Sequence, residues 1–156
     1  MFENVIMPQG INPETLEHLM APKNYGKLEN ANCVGVALDE KTKEYVVFNT
    51  LLDGEIIKDV KYATNGCQDT VVIGSMFTEM IKGNTIEYAN SAIQKMHEKL
   101  GEMTPQQKVC ADIVFSGFIA SMKNFDNRQN RADEELHILK MRESCNGENM
   151  KETIDE

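Results

Sequence analysis

The sequence predicts an α+β fold, a small antiparallel sheet of about three strands with helices packed across one face. Three observations carry that expectation. From Val34 to Thr64 the chain follows a strand pattern: Val34, Val36 and Leu38 alternate, and Tyr45 to Leu52 is dense in β-branched and aromatic side chains. Asp53-Gly54 then supplies a strong two-residue hairpin signal. After Asn65-Gly66-Cys67 the apolar spacing changes from two to about 3.6, the passage from sheet to helix.

Each element follows in order. Pro13 suits a first helical turn, with Asn12 as a cap, and Leu16, Leu19 and Met20 give a short apolar stripe that Pro22 and Gly26 end. Two strands lead to the Asp53-Gly54 turn, and Ile56 to Tyr62 forms the returning strand. Ile73, Met76, Phe77, Met80 and Ile81 trace one face of a helix that stops at Gly83. Thr85 caps a further helix through Tyr88 and Ala92, and Pro105 opens another marked by Val109, Ile113, Val114, Phe118, Ile119 and Met122. From Asp126 onward apolar residues thin out and acidic residues outnumber basic ones. The expected organisation is therefore one domain over residues 1–125 and a polar acidic tail over 126–156. In that tail a short helix around Leu136 to Met141 is expected, followed by disorder.

Length and charge bound the function. A chain of 156 residues fits one domain, and its 41% hydrophobic content suffices for a core. Ten methionines and no tryptophan imply a core filled by adaptable side chains. The net charge of −9 disfavours nucleic acid and anionic membrane surfaces, and points instead to basic protein patches as docking partners. No apolar run reaches the roughly 18 residues of a membrane-spanning helix. The segment from Met1 to Gly10 lacks the basic region and apolar core of a secretory leader, so a cytoplasmic location is expected.

Chemistry centres on cysteine. The four cysteines stand at 33, 67, 110 and 145, with no CxxC pair, which excludes a compact zinc knuckle. Cys67 and Cys110, although 43 residues apart, both fall at predicted loop-to-helix junctions. There the helix dipole favours a thiolate, the form that binds iron in sulfur clusters, zinc and copper(I). The competing assignment is structural, because free cysteine often serves as a small buried hydrophobe. Asp69 is either an oxygen ligand or a stabiliser of the helix N-terminus, the commoner role. His18 and His97 lie in polar helical stretches and are expected to be exposed, and His137 belongs to the tail with no identifiable partner. Ser75 and Ser116 have no base nearby in sequence. With no nucleophile elbow, phosphate loop or paired carboxylates, a non-enzymatic protein is expected.

Several of these stretches resemble the NifU/IscU family of iron–sulfur cluster assembly scaffolds. His18-Leu19-Met20-Ala21-Pro22-Lys23-Asn24-Tyr25-Gly26 is similar to the family's N-terminal H-Y-x-N-P-R/K-N-x-G element. Asp53 to Val60 followed by Thr64-Asn65-Gly66-Cys67 resembles its hairpin and G-C loop. Thr78-Glu79-Met80-Ile81-Lys82-Gly83 resembles T-E-x-x-K-G, and Lys108-Val109-Cys110-Ala111 matches the region of the third family cysteine. The likeness runs from about residue 16 to 125.

That resemblance implies a scaffold fold and also an incomplete ligand set. The family's first cysteine lies in an A-C-G-D turn, whose last three positions are here Lys41, Thr42 and Lys43. Val109 stands at the place of the family histidine. Cys67 and Cys110 remain as cofactor and metal ligands, and Cys33 becomes the candidate third metal ligand although it precedes the missing turn. The implied cofactor is a transient iron–sulfur cluster, with zinc as the alternative. The implied function is uptake of iron or sulfur through Cys67 and Cys110. One alternative is a docking module that has lost cluster binding; another is a zinc- or iron-binding domain of other purpose. The implied partner is a cysteine desulfurase, and a homo-oligomer would supply missing ligands. The chaperone motif L-P-P-V-K is reduced to Met103-Thr104-Pro105-Gln106-Gln107, which argues against handover through an Hsp70-type chaperone.

Overall fold

The computed structural model describes residues 13–100, 104–130, 134–141 and 153–154. Element order is α1 (Pro13–Met20), β1 (Cys33–Asp39), β2 (Tyr45–Asp53), β3 (Ile56–Thr64), α2 (Gln68–Ile81), α3 (Ile86–Leu100), α4 (Pro105–Asn130), β4 (His137–Met141) and β5 (Thr153–Ile154). The α+β architecture is as expected. The sheet is larger than expected, with the order β3-β2-β1-β4-β5. Its first three strands form the predicted antiparallel meander, and β4 joins β1 in parallel, making the sheet mixed.

Local chemistry explains the element boundaries. Asp53 pairs with Ile56, so the β2–β3 loop is Gly54-Glu55, one residue later than the dipeptide that signalled it. Gly54 adopts φ +62°, the left-handed conformation that a tight turn places on glycine. Thr85 caps α3 by accepting the Tyr88 N–H at 2.9 Å. Thr104 and Gln107 satisfy each other's backbone N–H groups at 3.1 Å, a capping box that starts α4 at Pro105.

The helices sit on one face of the sheet. Phe48 and Tyr62 are cross-strand neighbours, and around them Phe77 of α2 and Phe115 and Phe118 of α4 pack edge-to-face. The face of β1 that meets α4 carries Cys33, Gly35, Ala37 and Asp39, all buried, while Val34, Val36 and Leu38 lie half-buried on the opposite face. Small residues here let the helix backbone approach closely. A Cβ on Gly35 would stand 2.0 Å from the Ser121 backbone nitrogen. This seat fixes the height of α4 above the sheet, and therefore the position of Cys110.

The expected tail helix is not formed. Leu136 precedes, and His137–Met141 forms, a strand whose burial alternates, with His137, Leu139 and Met141 inside. Period two overrides helix propensity once β1 offers an unpaired edge. The domain therefore extends beyond residue 125. Arg128 fastens this return by donating to the carbonyls of Asn32, Glu134 and Glu135 at 2.8, 2.7 and 2.6 Å. Asn124 accepts the Val34 N–H at 2.8 Å and donates to Glu134. His137, assigned no partner from sequence, is buried with Nδ1 at 3.3 Å from both Glu134 Oε2 and Asn127 Nδ2. Burial raises the Glu134 pKa, but hydrogen bonds from Asn124, Asn127 and His137 more than offset it and leave the carboxyl below its ordinary range. Asn12, Met103, Cys145 and the expected disorder after Met141 concern residues outside those described, apart from Thr153–Ile154.

Candidate metal site

Two loops converge at one end of the helical layer. The β3–α2 loop is held by its own polar side chains and by its neighbours. Thr64 donates its hydroxyl to the Tyr45 carbonyl at 2.6 Å and accepts the Gly66 N–H at 2.9 Å. Asn65 accepts the Tyr45 N–H at 2.8 Å and donates to the Lys43 carbonyl at 3.2 Å. Tyr25 donates its hydroxyl to the Thr64 carbonyl at 2.8 Å, from the side of β3. Asn65 thus joins the Cys67 loop to the β1–β2 turn that carries Lys41, Thr42 and Lys43. In that turn the Asp39 carboxylate accepts the N–H groups of Lys41 and Thr42 at 2.9 and 3.2 Å.

Cys67 is the N-cap of α2 and makes no capping hydrogen bond through its side chain. Its thiol is exposed. Cys110 lies in the second turn of α4, not the first, and is buried at 1% exposure. The two sulfurs stand 3.4 Å apart. Asp69, in the first turn of α2, brings a carboxylate oxygen, and these three ligand atoms lie within 4.8 Å of one another. Thr70 adds a hydroxyl 3.9 Å from the Cys67 sulfur. Two thiolates on one tetrahedral ion with bonds of about 2.3 Å would be separated by about 3.8 Å. The observed spacing suits two donors to a single ion.

The electrostatics favour a cation. Burial pushes the Cys110 thiol up to about 12; the Thr70 hydroxyl pulls it down, while Cys67 and Asp69 push it up. The low-pKa thiolate expected at this helix start is therefore not found for Cys110, because a second-turn position gains little from the dipole and loses solvent. A bound cation would reverse this balance by replacing the thiol proton.

The other sequence candidates fall elsewhere. Cys33 is fully buried on β1, and its thiol donates to the Thr50 carbonyl at 3.4 Å. Burial, partly offset by Arg128, pushes that thiol to about 12. It is not part of the Cys67, Asp69 and Cys110 cluster, so the third donor that the structure brings to the pair is Asp69 rather than Cys33. Asp69 was legible as a ligand only through its place two residues after Cys67; Thr70 carried no signal in the sequence. Val109 is half-buried and has no donor atom. His18, expected to be exposed, is buried, with Nδ1 at 2.6 Å from Ser75 Oγ and Nε2 at 3.4 Å from Glu79 Oε1. Ser75 is fully buried and also accepts the Lys23 N–H at 2.7 Å. This grouping fastens α1 to α2. His97 lies within α3.

The comparisons with known proteins bear on the family and the fold. The family model for the NifU-like N-terminal domain matches residues 11–132. An iron–sulfur cluster assembly scaffold protein IscU of Aquifex aeolicus is 32% identical over 130 residues, 81% of this chain and 83% of that one. A scaffold protein IscU 1 of Archaeoglobus fulgidus is 26% identical over 122 residues, 78% of this chain and 80% of that one. Among solved structures, the N-terminal part of a nitrogen-fixing NifU-like protein from Brucella abortus shares the fold, with a TM-score of 0.58 at 14% identity, covering 75% of this chain and 94% of that one. With its meander, its paired cysteines at the convergent ends of α2 and α4, and a match across most of its length, the chain belongs to the NifU-like N-terminal domain family.

Proposed function

We propose that the chain is an iron–sulfur cluster assembly scaffold that takes up iron and sulfur at Cys67 and Cys110, with Asp69 as the third donor. The 3.4 Å separation of the two sulfurs, drawn from positions 43 residues apart, carries this reading. Family membership supports it, as do the named scaffold relatives. Thiolate sulfur suits iron and cluster sulfide, and the exposed Cys67 gives a partner access. A cysteine desulfurase is the partner of fitting chemistry, since it presents sulfur as a persulfide to an accessible thiol. Reduced thiols of this kind suit a cytoplasmic setting. Among the described residues no helix is long and apolar enough to cross a membrane.

Three donors from one chain leave at least one position of a small cluster open. A partner, a small thiol or a second copy of the chain fills it in this account. Anaerobic reconstitution with ferrous iron and sulfide tests the proposal. The wild-type protein should turn brown and absorb in the visible, and Cys67→Ala and Cys110→Ala should each stay colourless.

A second reading rests on the β1–β2 turn, where Lys41, Thr42 and Lys43 occupy the place of the first family cysteine and its aspartate. Here the domain is a docking module for an assembly protein and has lost cluster binding. Co-purification with a desulfurase, together with colourless reconstituted protein, would favour it. The two-sulfur, one-oxygen donor set also fits zinc, which metal analysis of protein isolated without added iron would reveal.

A further inference from the structure

Cys67 and Cys110 form a dithiol of unequal access. Cys67 is exposed at a helix cap, and its sulfur makes no capping bond to the helix backbone. Cys110 is buried at 1% exposure, with its sulfur 3.4 Å from that of Cys67. A bulky sulfur donor can reach the first thiol, and the second can reach only what the first carries. Among the described residues the remaining thiol, Cys33, is sealed in the core against Thr50. The contact distance lies within the roughly 3–3.5 Å of a near-attack geometry.

We infer that this pair reduces a persulfide accepted on Cys67 to free sulfide and ends as a Cys67–Cys110 disulfide. This rests on the reading of Cys67 as the sulfur-accepting thiol. In the first step the Cys67 sulfur attacks the outer sulfur of a persulfide donor, the donor's own thiolate leaves, and Cys67 carries a persulfide. In the second, the Cys110 sulfur attacks the Cys67 sulfur, and the bond from Cys67 to the outer sulfur breaks. Cys110 attacks as the thiolate after giving its proton to solvent, and the outer sulfur departs as hydrosulfide, which solvent protonates to hydrogen sulfide. Across both steps the transferred sulfur gains the two electrons that the two thiols give up on forming a disulfide, and the donor is the only co-reactant. Displacement at sulfur requires the outer sulfur to point away from Cys110, and the exposed side of Cys67 leaves room for that. The reaction is stoichiometric, one sulfide per chain, until a dithiol reductant reopens the pair.

The test uses the full chain, metal-free and reduced, in a Cys145→Ser background, treated anaerobically with one equivalent of glutathione persulfide. Released sulfide and intact mass are followed, with peptide mapping. The expected result is one equivalent of sulfide with a mass lower by two hydrogens, mapped to Cys67–Cys110. Cys110→Ser and Cys110→Ala, both checked for folding by circular dichroism, should instead retain one added sulfur on Cys67. Their sulfide release should be slower by about tenfold or more, given the effective molarity of an oriented pair. Wild-type protein that keeps the added sulfur and releases no sulfide overturns the inference alone. If wild-type and Cys110 variants alike take up no sulfur, the sulfur-accepting reading of Cys67 fails first, and the inference with it.

Discussion

Replacing Gly35 with alanine tests how the site is positioned. The new Cβ would lie 2.0 Å from the Ser121 nitrogen, 2.4 Å from the Ala120 carbonyl carbon and 2.6 Å from the Ser121 Cα. All three are backbone atoms of α4, so no side-chain rotation relieves the clash. Reaching ordinary contact near 3.4 Å requires β1 and α4 to separate by about 1.4 Å locally. The opening would disturb the Thr50–Ser121 hydroxyl contact at 3.2 Å and the bond from Val34 N–H to Asn124. Overpacking of a close-packed core costs about 1–3 kcal/mol, and a backbone clash belongs at the upper end. About 3 kcal/mol lowers the melting temperature of a domain near this size by roughly 6–12 °C. Thermal unfolding and urea titration of Gly35→Ala against wild type measure it. A change within about 0.5 kcal/mol, the range of an ordinary surface substitution, would refute the close seating of α4.

Four further outcomes follow from the same geometry. Asp69→Ala should weaken iron(II) binding by about tenfold or more, by loss of a ligand, yet lower stability by less than about 1 kcal/mol, the worth of a carboxylate in a first helical turn; calorimetric titration and denaturant unfolding separate the two. Cys110, its pKa raised from 9.0 to about 12 by burial, holds its proton well past neutral pH, so metal must displace that proton. Apparent iron(II) affinity should therefore rise with pH by about tenfold per unit for each proton released, and a flat profile would contradict the assignment of Cys110 as a ligand. In the metal-free protein the same raised pKa contributes stability below the ordinary thiol value of 9.0, lost as pH climbs towards about 12, and Cys110→Ala should flatten unfolding curves in that window. Arg128→Ala removes three hydrogen bonds that fasten the chain before β4. It should lower stability by about 2–4 kcal/mol and speed hydrogen exchange in His137–Met141 more than in β2.

The meander and the helix order were legible because period-two and period-3.6 patterns are written locally in the chain. The Thr85 and Pro105 helix starts were also local, since caps depend on residues within one turn. What escaped depends on tertiary context. His137, Leu139 and Met141 read as a sparse apolar stretch until the edge of β1 is known, and only then does their alternation select a strand. His18 looks polar and exposed in a short helix, but α2 covers it through Ser75. At the site, the pairing of Cys67 with Cys110 followed from family motifs and from both lying near helix starts. The environment of Cys110 did not follow, because one further turn into α4 exchanges dipole support for burial. Cys33 drew notice as a third ligand for its residue type alone; its strand phase, facing α4, takes it into the core. Asp69 carried a weak signal, since a first-turn aspartate is usually a dipole partner, and only its distance to both sulfurs raises it to a candidate donor.

X-ray absorption at the iron edge of anaerobic iron(II)-loaded protein addresses the site most directly. The account predicts two sulfur scatterers at about 2.3 Å and at least one oxygen at about 2.0–2.2 Å, with one sulfur lost in Cys67→Ala and one in Cys110→Ala. Iron surrounded by oxygen or nitrogen alone, unchanged in both variants, would contradict it.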